Sequence, residues 1–117
     1  MVTRRVLVTD DNQDAAETLA ILLGLDGHDT RVANNSRSAI QISETFRPEV
    51  AILDINMPGG MSGYDLARYL KNMLGEKLVL IALTGLSQTQ DRQRARLAGF
   101  AHHLVKPASY EELKAIL

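Results

Sequence analysis

Five residues carry the chemistry that this chain could perform: Asp10 and Asp11, Asp54, Thr84 and Lys106. Three carboxylates brought together repel one another, and one takes up a proton unless a cation compensates. A hard divalent ion suits such a set, because Mg²⁺ prefers carboxylate and carbonyl oxygen and completes its shell with water and phosphate oxygen. A carboxylate can also act as a nucleophile and form an aspartyl-phosphate. Phosphoryl transfer asks the protein mainly for positioning and for neutralisation of the equatorial oxygens. Here the metal, a threonine hydroxyl and a lysine ammonium could supply that neutralisation. Each residue alone has a plainer reading. An acidic pair after a strand is usually a turn or cap signal, and a lysine before proline is usually solvated.

What lifts the set above its members is where the elements put them. Short apolar runs alternate with amphipathic stretches. Strands are expected at Arg5–Thr9, Asp29–Ala33, Val50–Leu53, Leu78–Leu83 and His102–Val105. Helical spacing is expected over Gln13–Leu23, with Gly24 ending it, and over Ser36–Phe46. A third helix carries Leu66, Leu70 and Met73 and stops at Gly75; a fourth runs to Gly99; a fifth follows Ser109. Ser62 with Asp65, Ser87 with Gln90, and Ser109 with Glu112 have the spacing of capping boxes. Five βα repeats argue for an α/β fold with a parallel sheet covered on both faces. In such doubly wound sheets, ligands bind beyond the carboxyl ends of the strands. Asp10-Asp11, Asp54, Thr84-Gly85 and Lys106-Pro107 all fall at those ends.

Composition narrows the rest. One domain over residues 1–117 is expected from the length. With 13 Lys plus Arg against 14 Asp plus Glu, the formal charge is -1, so no overall field favours nucleic acid or membrane surfaces. The absence of cysteine excludes disulfides and thiolate metal sites. No apolar run approaches the ~20 residues of a membrane span, and no signal-peptide core is present, so a cytoplasmic location is expected.

The chain resembles the receiver domains of bacterial response regulators and, in style, those of hybrid histidine kinases. The matching pieces are VLVTDDN at 6–12, AILDINMP at 51–58, GYDLAR at 63–68, ALTG at 82–85 and AGFAHHLVKP at 98–107. The resemblance implies a flavodoxin-like, doubly wound, five-stranded sheet of order 2-1-3-4-5 with five helices. It implies Asp54 as phosphoacceptor, and Asp10, Asp11, Asp54 and the backbone carbonyl of Asn56 as ligands of Mg²⁺. Thr84 takes the place of the switch hydroxyl, Lys106 that of the lysine pairing with the phosphoryl group, and Pro107 a frequent cis-proline position. The implied partner is a histidine kinase or histidine phosphotransfer domain docking near Asn12–Ala16. An output domain or downstream protein stays unidentified, with no direct contact to nucleic acid or membrane. No turnover of a foreign substrate is expected beyond self-phosphorylation and self-dephosphorylation. Leu86 and Asn56 occupy positions that tune hydrolysis in the family.

Two features depart from the family pattern. The loop NMPGGMSG at 56–63 is one glycine longer than usual. His103 occupies the switch position where Tyr or Phe is usual, and imidazole is smaller and titrates near neutral pH. His102 and His103 should not chelate one ion, because neighbours in a strand face opposite ways. Arg92, Arg94 and Arg96 read as a solvated face, and Met57, Met61 and Met73 as packing residues. A haloacid-dehalogenase-type phosphatase needs an acid two residues after its nucleophile, where Asn56 stands. A nucleotide-binding module needs GxGxxG or GxxxxGK[ST], and neither occurs. A scaffold that has lost its chemistry would lack some of the five residues, and all are present.

Overall fold

Alternation along single strands explains how one sheet serves two cores. In β1 (Arg5–Thr9), Val6 and Val8 point to one face and Leu7 to the other, all three fully buried. The same division runs through β3 (Val50–Asp54), whose five residues are all buried, and β4 (Val79–Thr84). These near-continuous apolar runs mark strands covered on both sides. β2 (Asp29–Ala33) and β5 (His102–Val105) lie at the edges and are correspondingly mixed. The computed structural model describes residues 3–57, 61–85 and 89–117, with backbone alone at 89–91.

All pairings are parallel, in the order β2-β1-β3-β4-β5, as the family resemblance implies. One face packs Val6, Val8, Ile52, Ile81 and Leu83 against α1 (Gln13–Leu25) and α5 (Tyr110–Ile116), through Ala16, Ala20, Leu23 and Leu113. The other packs Leu7, Ala51, Leu53, Leu80 and Ala82 against α2 (Ser36–Phe46), α3 (Gly63–Leu74) and α4 (Thr89–Leu97). Met57 is in that core, and Met61 and Met73 pack against it. Burial of each large apolar side chain contributes about 1.5–3 kcal/mol.

Helix ends follow local chemistry. Ser62 and Ser109 accept from the amides of Asp65 and Glu112 at the expected N-caps. Asn12 and Asn35 do the same for α1 and α2, accepting from Ala15 and Ser38. Helix α1 corrects the expected stop at Gly24: the helix runs through Gly24 to Leu25, and the positive φ of 95° falls at Gly27. The amide of Asp26 bonds back to the carbonyls of Leu23 and Gly24, so the chain leaves the helix two residues later. The Ser87–Gln90 cap, Leu86 and the loop residues Pro58, Gly59 and Gly60 lie outside the described residues.

Candidate functional site

Asp10 follows β1, Asp54 ends β3, Thr84 ends β4 and Lys106 follows β5. The parallel register brings these four ends to one edge: Thr9 pairs with Leu53, Asp54 with Leu83, and Thr84 with Val105. Backbone bonds carry the edge one residue further. The amide of Asp10 donates to the Ala33 carbonyl, and that of Lys106 to the Thr84 carbonyl at 2.7 Å. Asp10, Asp54 and Thr84 are buried at 4%, 2% and 1% exposure, while Asp11 stands open to solvent.

The carboxylates of Asp10, Asp11 and Asp54 place ligand atoms within 4.8 Å of one another. Lys106 enters from the fifth strand end. Its Nζ lies 2.8 Å from Asp54 Oδ2 and 3.2 Å from Asp10 Oδ2. Each buried acid also holds the chain after it. Asp10 Oδ1 accepts from the amide of Asn12, and Asp54 Oδ1 from the amide of Asn56, both at 3.0 Å. Asp54 thus has one oxygen fixed by backbone and the other by an ammonium.

One cation faces three acids, and the protonation equilibria reflect the deficit. Burial pushes the Asp54 carboxyl above its ordinary value, against the opposing pull of Lys106 and the Asn56 amide. Asp11 moves the other way, held low chiefly by its hydrogen bond with Asp54. For Lys106, desolvation is the largest single effect and lowers it. The hydrogen bond to Asp54 and the charges of Asp54 and Asp10 together outweigh that and raise it. A set of two buried carboxylates and one exposed one, short of positive charge, fits a hard divalent cation and does not fit a soft one.

The structure brings Asp10, Asp11, Asp54 and Lys106 together, as the sequence expectation requires. Thr84 is buried on the neighbouring strand end, and Asn56 contributes its amide to Asp54. His103 is half-buried on β5 opposite Ala82, and His102 beside it is exposed. The α4 arginines Arg92, Arg94 and Arg96 are all exposed, as the solvated-face reading expects, and one of them also makes a ring contact. Arg94 lays its guanidinium 4.1 Å over the ring of Tyr64, which meets Phe100 edge-on.

Two supporting residues escaped the sequence reading. Gly63 starts α3 so close to the site that a Cβ there would meet the Asp54 carbonyl at 2.6 Å. GYDLAR carried that glycine, but only the packing of α3 on β3 shows the requirement. Asn34 Nδ2 reaches the Asp10 carbonyl at 3.4 Å, a contact between two strand ends with no sequence signature. Beside the site an open groove of about 600 Å³ runs between α1 and the start of α5, lined by Asn12, Ala15, Leu19, Leu22, Pro107 and Ala108.

A sequence model of the response regulator receiver domain matches residues 6–117. An uncharacterised 14.6 kDa protein of Leptolyngbya boryana is 35% identical over 92% of this chain and 82% of its own length. The DNA-binding response regulator MtrA of Mycobacterium tuberculosis is 34% identical over 96% of this chain. The chain spans about half the length of the mycobacterial regulators it matches, 48% for MtrA. The chemotaxis protein CheY4 of Vibrio cholerae has the same fold, with a TM-score of 0.90 at 24% identity over 98% of this chain and 96% of that one. A response regulator of Burkholderia pseudomallei, solved with a phosphorylated aspartic acid, a calcium ion and citrate, aligns at TM-score 0.87 and 30% identity. That alignment covers 96% of this chain and 65% of that one.

Proposed function

The chain belongs to the response regulator receiver domain family, and on that premise we propose that Asp54 accepts a phosphoryl group from a phosphohistidine and that the surface responds. The observation carrying this reading is the environment of Asp54: buried, ion-paired to Lys106 at 2.8 Å, and sharing one strand edge with Asp10, Asp11 and Thr84. The donor is a histidine kinase or histidine phosphotransfer domain. Hybrid histidine kinases are included, and the setting is cytoplasmic. Among the described residues no helix is long and apolar enough to cross a membrane. The groove along α1 offers the donor's helices a face that reaches Asp10 and Lys106, the latter paired with Asp54.

In the transfer, an oxygen of Asp54 bonds to phosphorus, the P–N bond of phosphohistidine breaks, and the imidazole nitrogen leaves with the bonding pair. Asp10, Asp11, Asp54 and the carbonyl of Asn56 would hold Mg²⁺, which when bound offsets the charge of the acids and of the phosphoryl oxygens. The buried acids orient the site through their bonds to the Asn12 and Asn56 amides. Lys106 pairs with the incoming phosphoryl group. The group adds about -1.5 to -2 charge and strong acceptor oxygens, and the Thr84 hydroxyl donates to one of them. That movement biases α4, β5 and α5 between two arrangements, with His103 in the switch position. Hydrolysis returns Asp54, so the domain acts on its own phosphoryl group and turns over no foreign substrate. Downstream, its partner is an output domain or protein; direct nucleic-acid contact forms no part of the proposal.

Incubation with acetyl phosphate, with and without Mg²⁺, tests this. The expected result is a Mg²⁺-dependent adduct of about 80 Da, absent in Asp54→Asn, with amide shifts spreading from Asp54 to Thr84 and Lys106. A folded protein that gains neither mass nor shifts would overturn the reading.

A further inference from the structure

At the opposite end of the sheet a second, cationic cleft of about 380 Å³ opens among β1, the α2–β3 turn and β4. Four cations border it: Arg4, Arg5, Arg47 and Lys77. A single acid, Glu49, faces them, and it is already committed. Glu49 Oε1 accepts from the Arg5 amide at 3.0 Å and lies 3.6 Å from the Arg5 guanidinium. Among the described residues, Arg4, Arg47 and Lys77 have no carboxylate within ion-pair distance. A surplus of three cations around one concavity contrasts with a chain whose formal charge is -1.

The rim is held by backbone. Arg5 Nε donates to the Arg47 carbonyl at 2.9 Å, the Glu49 amide to the Arg5 carbonyl, and the Val79 amide to the Glu49 carbonyl. Those bonds tie three strands' entrances together and fix the segment that carries Arg47. Arg47 itself is the non-glycine residue with positive φ, 49°, among the described residues. It ends α2 in the left-handed position that glycine takes at least cost. An arginine retained there, on the border of the cleft, sits in a backbone conformation that disfavours it, which points to a role for its side chain. The rest of the lining is apolar and supplies its floor: buried Pro48 and Leu78, with half-buried Leu74.

We propose that this cleft binds a multiply charged phosphate anion, with the cationic rim holding the phosphates and the apolar floor taking an attached organic group. The site is separate from Asp54. Val50 to Asp54 span the length of β3, so the two ends lie about 13 Å apart along the strand. The inference therefore stands or falls independently of the phosphoacceptor reading.

Amide titrations with tripolyphosphate and with ATP, both free of Mg²⁺, test it on the full chain. Saturable shifts at Arg5, Glu49 and Leu78 are expected, with half-saturation below about 1 mM for ATP. ATP should bind more tightly than tripolyphosphate, and equal affinity would overturn the assignment of the floor. Arg47→Gly removes the guanidinium while placing glycine where φ is positive, so its folding is safeguarded. It should weaken binding at least about tenfold, as should Lys77→Met, because each lost charge-assisted bond is worth about that factor. Shifts that fail to saturate, that centre on Asp54, or that persist unchanged in Arg47→Gly would overturn the site.

Discussion

Replacing Asp54 with asparagine keeps the side chain's shape and its acceptor for the Asn56 amide, but removes one of three clustered negative charges. Without metal, that change stabilises the fold. Two repulsions disappear, from Asp10 and Asp11. At the full 4.8 Å separation and an effective dielectric of about 20, each is worth about 3.5 kcal/mol. One attraction disappears with them, to Lys106 at 2.8 Å, worth about 6 kcal/mol on the same footing. The pair terms nearly cancel, and solvent around exposed Asp11 weakens its share. Desolvation then decides, because a buried carboxylate costs several kcal/mol that the neutral amide largely avoids. A net gain of about 1–3 kcal/mol follows, or about 4 °C in Tm per kcal/mol for a domain of this size.

The sign of the pH dependence gives a sharper check. The folded-state carboxyl of Asp54 is raised above its ordinary 3.8, so the folded protein binds that proton more tightly than the unfolded chain. The cost of the charged form is complete above the folded pKa and vanishes once pH falls below 3.8. Thermal or urea unfolding in chelator should show Asp54→Asn more stable near about pH 7, with the gap closing toward about pH 4. Adding Mg²⁺ should reverse the order, since a ligand at 100 times its Kd stabilises by about 2.7 kcal/mol and wild type binds it better. A variant less stable than wild type in chelator, or a gap that widens on acidification, would refute the charge-deficit argument.

Gly63→Ala should destabilise by about 1–3 kcal/mol in urea unfolding, because its Cβ meets the backbone of Asp54 and Ile55 at 2.6 and 2.7 Å, atoms that cannot swing aside. A loss under about 0.5 kcal/mol would mean that α3 shifts freely. Thr84→Ala should leave Mg²⁺-dependent phosphorylation intact while abolishing amide shifts in β5 and α5; full propagation in the variant would remove Thr84 from the switch. Tyr110 donates its phenol to Asp26 at the end of α1, which pushes the phenol from 10.0 up to about 12. Its contribution is present below pH 10.0 and lost as pH rises to about 12. Ultraviolet titration should therefore show Tyr110 ionising above the ordinary value, and Tyr110→Phe should abolish that transition.

Sequence reached furthest where a residue's role is fixed by its place along a strand. The run Val50–Leu53 is apolar because both faces of β3 are covered, and that continuity puts Asp54 at its carboxyl end. The same reasoning placed Asp10, Thr84 and Lys106 and predicted their common edge. It failed where a bond within a turn or a contact between elements decides. Gly24 looked like a helix stop, yet Gly27 bears the left-handed turn, because Asp26 still bonds to the end of α1. Gly63 gave no sign that the Asp54 carbonyl lies beneath it, and Arg94 no sign of the Tyr64 ring. Strand order came from resemblance, since alternating βα units specify parallel pairing but permit several windings. The division is physical. Periodicity records which face is buried, and so locates strand ends and the acids upon them. Contacts between elements depend on register and approach, which no local pattern records. The cationic cleft belongs to the second kind: its members come from residues 4–5, 47 and 77, and parallel register alone gathers them at one entrance to the sheet.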